Sequence, residues 1–346
     1  MDFGFTEDQE SLRALAVKVL DGHAGDDRAL WDQLAATGLI GAALAPPCGD
    51  GMGLMGLCII AEQLGRRALL QPLGASVAAA LCLEQLAPAL DIDGLARGST
   101  IATIALEEPA GYDPLDPATT LSGQGRLAGQ KTAVPWAPRA DLFLVSARDA
   151  TASAVLVLVG RDDPGLTIEE STGTAGEPLG RISFNDVDVP TDRIFTDKAV
   201  TLAHDTLLAV ECATAAGVLD GGLRITSQYI AGREQFGRPI AAFQGPALRI
   251  ADAYIDTQAV WAATWSAIWR LATGRPAGEA LAIAKFWVAD GGQRAVHAFQ
   301  HLHGGMGVDT SYPIHRYFAL AKALEVRLGG APVQLERLGA ALAAES

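Results

Sequence analysis

The chain has 346 residues, 49% hydrophobic and only 19% charged, which gives room for two or three domains with extensive burial or a sizeable subunit interface. A formal net charge of −14 argues against nucleic acid or an anionic membrane surface as the main partner, although local arginines and helix N-termini in an acidic protein still bind small anions. The four cysteines, Cys48, Cys58, Cys82 and Cys212, show neither CxxC pairing nor a nearby histidine cluster, and read as reduced thiols of a cytoplasmic protein without a metal site.

In chain order, Met1-Asp-Phe-Gly-Phe-Thr-Glu7 lacks the basic-then-apolar pattern of a secretion signal. Residues 1–98 read as a helical domain. Thr6 followed by Gln9 predicts a capping box, with Leu12, Leu15, Ala16 and Val19 at helical spacing behind it. Helices are expected over Leu30–Thr37 and Leu54–Arg67, on either side of a Gly/Pro-rich loop at Pro46–Gly51. The apolar run Val77–Leu83 is too short to cross a bilayer, and no membrane span is expected.

Residues 99–197 change period. Thr100–Leu106, Asp141–Ser146, Ala154–Val159 and Arg181–Phe184 are short β-like runs separated by Gly, Pro and Asp, which predicts a small antiparallel barrel or sandwich ending at Val187–Pro190. Residues 198–346 return to helical spacing, with helices over 201–232, 241–273, 277–303, 314–327 and 331–343, and short connections that imply an antiparallel bundle. The fold class is α+β, mostly α: helical domain, β domain, helical bundle.

Two motifs carry chemistry. In Arg233-Glu-Gln-Phe236-Gly237 the guanidinium offers a rigid fork for a pyrophosphate, and the phenyl ring can pack on an adenine or ribose face; the alternative is a plain helix end with a turn. In His301-Leu-His303-Gly304-Gly305-Met-Gly307 the glycines after a helix allow close backbone approach to a dinucleotide; the alternative is a glycine-rich helix stop. Trp261, Trp265 and Trp269 form a stripe read as core or subunit interface.

These motifs, with Phe243-Gln244 opening the next helix, Tyr312-Pro313 downstream and the helix–sheet–helix order, resemble the acyl-CoA dehydrogenase family across nearly the whole chain. The resemblance implies FAD as cofactor, an acyl-CoA substrate and an electron-transfer flavoprotein-type acceptor. It places Arg233 and Phe236 against the adenine end of a neighbouring subunit's FAD, with Gly304 and Gly305 alongside. His301 falls where the family carries a glutamine, with Gln300 one place earlier.

Other positions depart from the family. Its catalytic glutamate, counted from Tyr312-Pro313, falls on Leu328, and the alternative base position on the first long helix of the bundle falls near Leu207 and Leu208. A leucine cannot take the substrate's α-proton. Glu211, one turn beyond Leu207, is either a relocated base or a glutamate engaged within the bundle, and Glu325 reads as a solvated charge beside Arg327. Glu107-Glu108-Pro109 stands for Thr-Glu-Pro, and Ala133-Val134-Pro135 for the aromatic element that packs on the flavin ring, with Trp136 out of register.

The expectation is therefore one subunit of a heteromeric enzyme, a heterodimer or α2β2 heterotetramer, resembling the short subunits of bacterial steroid side-chain degradation. It would complete the FAD site of a base-bearing partner. The alternatives are a self-sufficient dehydrogenase using Glu211, and a non-catalytic scaffold without cofactor.

Overall fold

The computed structural model describes residues 4–23, 26–109, 111, 113–196 and 198–344, so Met1, Asp2 and Phe3 of the N-terminal stretch lie outside the described residues. The chain divides into two compact units, residues 1–60 with 70–210, and residues 61–69 with 211–346.

In the first unit, α1 (Glu7–Asp21) opens on the predicted capping box: Gln9 N donates to Thr6 Oγ1 at 3.3 Å and Thr6 N to Gln9 Oε1 at 3.0 Å. Leu12, Ala16 and Val19 are buried, whereas Leu15, at the edge of the stripe, stays 39% exposed. α2 (Asp27–Ala36) is capped by Asp26, and its buried Trp31 donates to Gly98 O at 2.9 Å. α3 (Gly53–Gly65) starts in this unit. α4 (Leu73–Leu86) contains the apolar run Val77–Leu83 and is buried all round, as a core helix should be. α5 (Asp93–Ala96) is a single turn.

The sheet comprises β1 (Ala102–Ala105), β2 (Thr120–Leu121), β3 (Arg126–Pro135), β4 (Leu142–Arg148), β5 (Ala154–Gly160), β6 (Leu166–Thr172), β7 (Pro178–Asp188) and β8 (Ile194–Phe195). Its order is β6-β7-β3-β2-β4-β5-β8, with β1 on β4. Pairing is antiparallel except at β1 and β2, which both run parallel to β4. The sheet is otherwise the antiparallel one expected; a parallel pair requires a crossover, and the chain between β1 and β4 is long enough for one. β4 and β5 are apolar and buried on both faces around Phe143, Val145 and Val157. The edge strand β6 carries Glu169 and Glu170, charges that discourage strand addition.

α6 (Ala199–Gly232) runs from the first unit into the second, and is followed by β9 (Glu234–Gln235), β10 (Arg238–Pro239), α7 (Gln244–Ala272), α8 (Gly278–His303), α9 (Ile314–Val326) and α10 (Ala331–Ala344). In the second unit α8 packs against α7, α9 and α10. α6 is long and apolar enough to cross a membrane, yet 78% of its most apolar window is buried inside the protein, which is the behaviour of a core helix. Gly217 and Gly221 let the end of α3 and the turn after it lie directly on α6. A Cβ there would sit 2.0 Å from Glu62 O and 2.1 Å from Arg66 O. Of the tryptophan stripe, Trp265 is buried, while the flanking Trp261 and Trp269 are exposed.

Candidate functional site

Arg233 ends α6, and the chain at once makes a tight hairpin in which Gln235 pairs with Arg238 and Glu234 with Pro239. The two residues at its tip, Phe236 and Gly237, have φ of 53° and 78°, the double positive φ of a type I′ turn. Glycine suits that turn and phenylalanine does not: a bulky side chain at positive φ is strained. Phe236 is also 93% exposed, and among the described residues its ring contact is an edge contact to Phe243 at 6.2 Å between ring centres. Arg238 lies over the Phe243 ring at 4.1 Å and fixes the base of the arm. The Arg233 side chain is exposed and makes no hydrogen bond or ion pair among the described residues.

The second motif ends α8. Gly304 has φ 57° and ψ −133°, and a Cβ added to Gly304 or Gly305 would meet nothing within 4 Å, so bare backbone faces open space. An open groove of about 400 Å³ lies here, lined by Arg249, His297, Gln300, His301 and Gly304. Gln300 donates to Gly307 O at 3.3 Å and serves the turn, while His301 is exposed. The two motifs are tied together at their roots. His303, immediately before Gly304, stacks on Tyr229 at 4.4 Å, and Tyr229 lies one helical turn before Arg233. Tyr312 packs on both rings, and His303 Nδ1 bonds to Phe299 O at 2.8 Å. Burial holds the His303 imidazole below its ordinary pKa, so it remains a neutral packing element.

The loop between α9 and α10 is fastened internally. Leu328 is buried with φ 56°, followed by Gly329 with φ 87°. The wholly buried Gln334 donates to Leu328 O at 3.1 Å and to Gly329 O at 3.0 Å. Lys285, equally buried, donates to Leu324 O at 2.7 Å and Glu325 O at 2.9 Å, capping the end of α9. Glu211 Oε1 lies 3.4 Å from Arg327 Nη1, with the side chains 12% and 15% exposed, while Glu211 Oε2 is buried without a hydrogen bond. Glu325 pairs with Lys322 at 2.5 Å, correcting the expectation of a solvated charge beside Arg327: Arg327 turns inward to Glu211 instead. Leu207 and Leu208 are buried.

On the sheet, Glu108 accepts from Lys131 Nζ at 2.7 Å, Thr119 N at 2.9 Å and Ala118 N at 2.6 Å. Burial pushes its carboxyl up, but these donors outweigh burial and hold it below the usual carboxylate range. Lys131 is fully buried and also donates to Ser146; burial lowers its ammonium to about 8 against the upward pull of Glu108. Where Ala133-Val134-Pro135 replaces the family's aromatic element, β3 has a bulge after Lys131, Ala133 and Trp136 sit at φ 48° and 62°, and Trp136 is buried with Arg139 over its ring at 5.5 Å.

An acyl-CoA dehydrogenase C-terminal domain family matches residues 209–343 and the corresponding middle domain family residues 102–187. The chain is 35% identical to acyl-CoA dehydrogenase FadE27 of Mycobacterium tuberculosis over an alignment of 374 positions, gaps included, covering 99% of both chains. It belongs to the acyl-CoA dehydrogenase family. FadE28 of the same organism is 34% identical, covering 98% of each chain. Among solved structures, the ChsE4–ChsE5 complex from Mycobacterium tuberculosis has a chain with a TM-score of 0.93 at 34% identity, covering 99% of both. A variant of the Tcur3481–Tcur3483 steroid ACAD has one with 0.92 at 36%, covering 98% of this chain and 99% of that one.

Acyl-CoA dehydrogenases are FAD-dependent oxidoreductases. The nucleotide half of that cofactor fits what unit two offers: a groove with bare glycine backbone and Arg249 in its lining, and, on the hairpin, Arg233; neither arginine's side chain has a partner among the described residues. The ring half fits less well, since neither Leu207 nor Leu328 can act as a base and Trp136 is packed into the sheet. Sequence reasoning missed Arg249, because nothing in its spacing on α7 marks it off from an ordinary surface arginine.

Proposed function

We propose that this chain is one subunit of a heteromeric acyl-CoA dehydrogenase, a heterodimer or α2β2 heterotetramer. It completes the FAD site of a partner subunit that carries the catalytic carboxylate. Arg233 binds the pyrophosphate, Phe236 packs on the adenosine, and His301, Gly304 and Gly305 line the nucleotide's path. The observation that carries this reading is Phe236, an aromatic ring held at positive φ and almost fully exposed, whose ring contact among the described residues is the edge of Phe243. The bound flavin supplies the hydride acceptor for α,β-desaturation of the acyl-CoA. This chain's residues position the nucleotide, and its Leu328 loop takes no proton.

The steroid reading is supported by likeness to the Tcur3481–Tcur3483 steroid ACAD, and the second subunit by likeness to the ChsE4–ChsE5 complex. The same proposal keeps an electron-transfer flavoprotein-type acceptor, a cytoplasmic setting and a division at residues 98 and 197. Co-expression with a neighbouring dehydrogenase subunit tests it. The absorption spectrum of the purified complex should show flavin that Arg233→Ala removes. A homo-oligomer of this chain with full FAD occupancy and turnover of its own would sink the proposal.

Glu211 sustains a second reading, because Oε2 is buried and lacks a hydrogen bond. If it is a relocated base, Glu211→Gln abolishes dehydrogenation with flavin retained. Its pairing with Arg327 favours a structural role instead.

A further inference from the structure

The groove beside Gly304 holds a cation that the arm motif does not account for. Arg249 lies in the second turn of α7, is exposed, lines the groove with His297, His301 and Gly304, and makes no hydrogen bond or ion pair among the described residues. Most other described arginines are occupied. Arg294 is forked onto Asp256 and Asp290, Arg161 onto two backbone carbonyls, and Arg139, Arg238 and Arg275 lie over aromatic rings. In a chain of net charge −14, an unpaired guanidinium at a concave surface beside two imidazoles and bare glycine backbone is a local site for an anion. The groove, at about 400 Å³, falls within the usual range of small-molecule sites.

We propose that Arg249 is a second phosphate ligand of the nucleotide site, gripping the pyrophosphate of an adenine nucleotide from the groove side while His301 lies alongside. The proposal rests on the reading that this chain holds the nucleotide tail of FAD. It adds that the tail is held by two guanidinium forks, one on the hairpin and one on α7. A pyrophosphate carries charge for both, and two forks fix its orientation where one leaves it free to swing.

The test uses the full-length chain and ADP, which carries adenosine and pyrophosphate without the flavin ring. Titration calorimetry should show Arg249→Gln weakening ADP by about tenfold to a hundredfold, the effect of losing charge-assisted hydrogen bonds. Arg249→Lys should recover part of the loss. Arg270→Gln, an equally exposed and unpaired arginine near the far end of α7, should leave ADP affinity unchanged and so controls for loss of general charge. Equal affinity for wild type and Arg249→Gln overturns the inference, as does equal weakening by Arg270→Gln, or a wild-type chain that does not bind ADP at millimolar concentration. Flavin content of the co-purified complex with Arg233→Ala tests the underlying reading separately. Flavin lost there while Arg249→Gln leaves ADP binding intact removes only this inference; flavin kept there removes the parent reading.

Discussion

The arm at residues 233–239 and the loop at 327–330 both leave the end of a long helix, and they treat their polar groups in opposite ways. On the arm, Arg233 is unpaired among the described residues and Phe236 faces solvent at positive φ. In the loop, Leu328 also has positive φ, but its side chain is buried, its carbonyl is bonded by Gln334, and Arg327 is spent on Glu211. Strain compensated inside the fold points to a structural element. Strain left uncompensated points outward, to something the chain has yet to meet. The buried Lys131–Glu108 pair on the sheet belongs with the loop, since its charges are spent within the chain.

That contrast breaks first if the inward charges prove dispensable. Lys131 is completely buried, so Glu108→Ala strands an ammonium in the sheet core and should cost about 3–5 kcal/mol in urea denaturation. The pH dependence follows. Glu108's folded pKa lies below its ordinary 4.5, so its contribution is complete above that value and is lost as pH falls through the lower folded one. The stability gap between wild type and Glu108→Gln should therefore narrow on acidification. Lys131, lowered to about 8 from 10.5, acts in the other direction: its burial penalty is felt below about pH 8 and relieved as pH rises towards 10.5. A gap that stays constant from pH 6 to 3 would show that the pair does not form.

Much of this was legible in the sequence, and the failures share a cause. Bundle helices α6 to α10 follow 3.6-residue spacing and were placed to within a few residues, and the Thr6–Gln9 box is present atom for atom. β3 was invisible because its inward positions are Leu127, Lys131 and Val134, interrupted by Gly129 and two register shifts, so the alternation that marks a strand never appears. A lysine reads as surface until its carboxylate partner, distant in sequence, is known. β6 was missed because it is an edge strand with almost no buried face. At the site, the arm and the glycine turn were readable as local motifs. Their union through Tyr229 and His303, and the capture of Arg327 by Glu211, are contacts between distant segments that spacing cannot show.

Glu211→Ala sharpens the contrast next. Both partners keep a little solvent, so the expected loss is about 3 kcal/mol, the low end for a broken buried pair. Flavin content of the complex should be unchanged. Loss of flavin with full stability would move Glu211 from the structural region to the functional one. Arg233→Ala should do the reverse, changing stability by less than about 0.5 kcal/mol while flavin affinity falls at least about tenfold. A large stability loss would mean that the arm serves its own fold after all.

The smallest effect bears most directly on why the arm looks as it does. A type I′ turn accepts Asn at its first central position far better than Phe, because asparagine tolerates positive φ. With the ring almost fully exposed, Phe236→Asn forfeits little buried area. The variant should thus be as stable as wild type or more so, by a few tenths to about 1 kcal/mol in thermal melts of the isolated chain. If Phe236 serves the nucleotide, the same variant should release flavin from the complex more readily. A gain in stability with a loss in flavin retention would identify the residue as a functional compromise. A loss in stability would mean that the ring packs on its own chain, and the argument from uncompensated strain would fail at its strongest point.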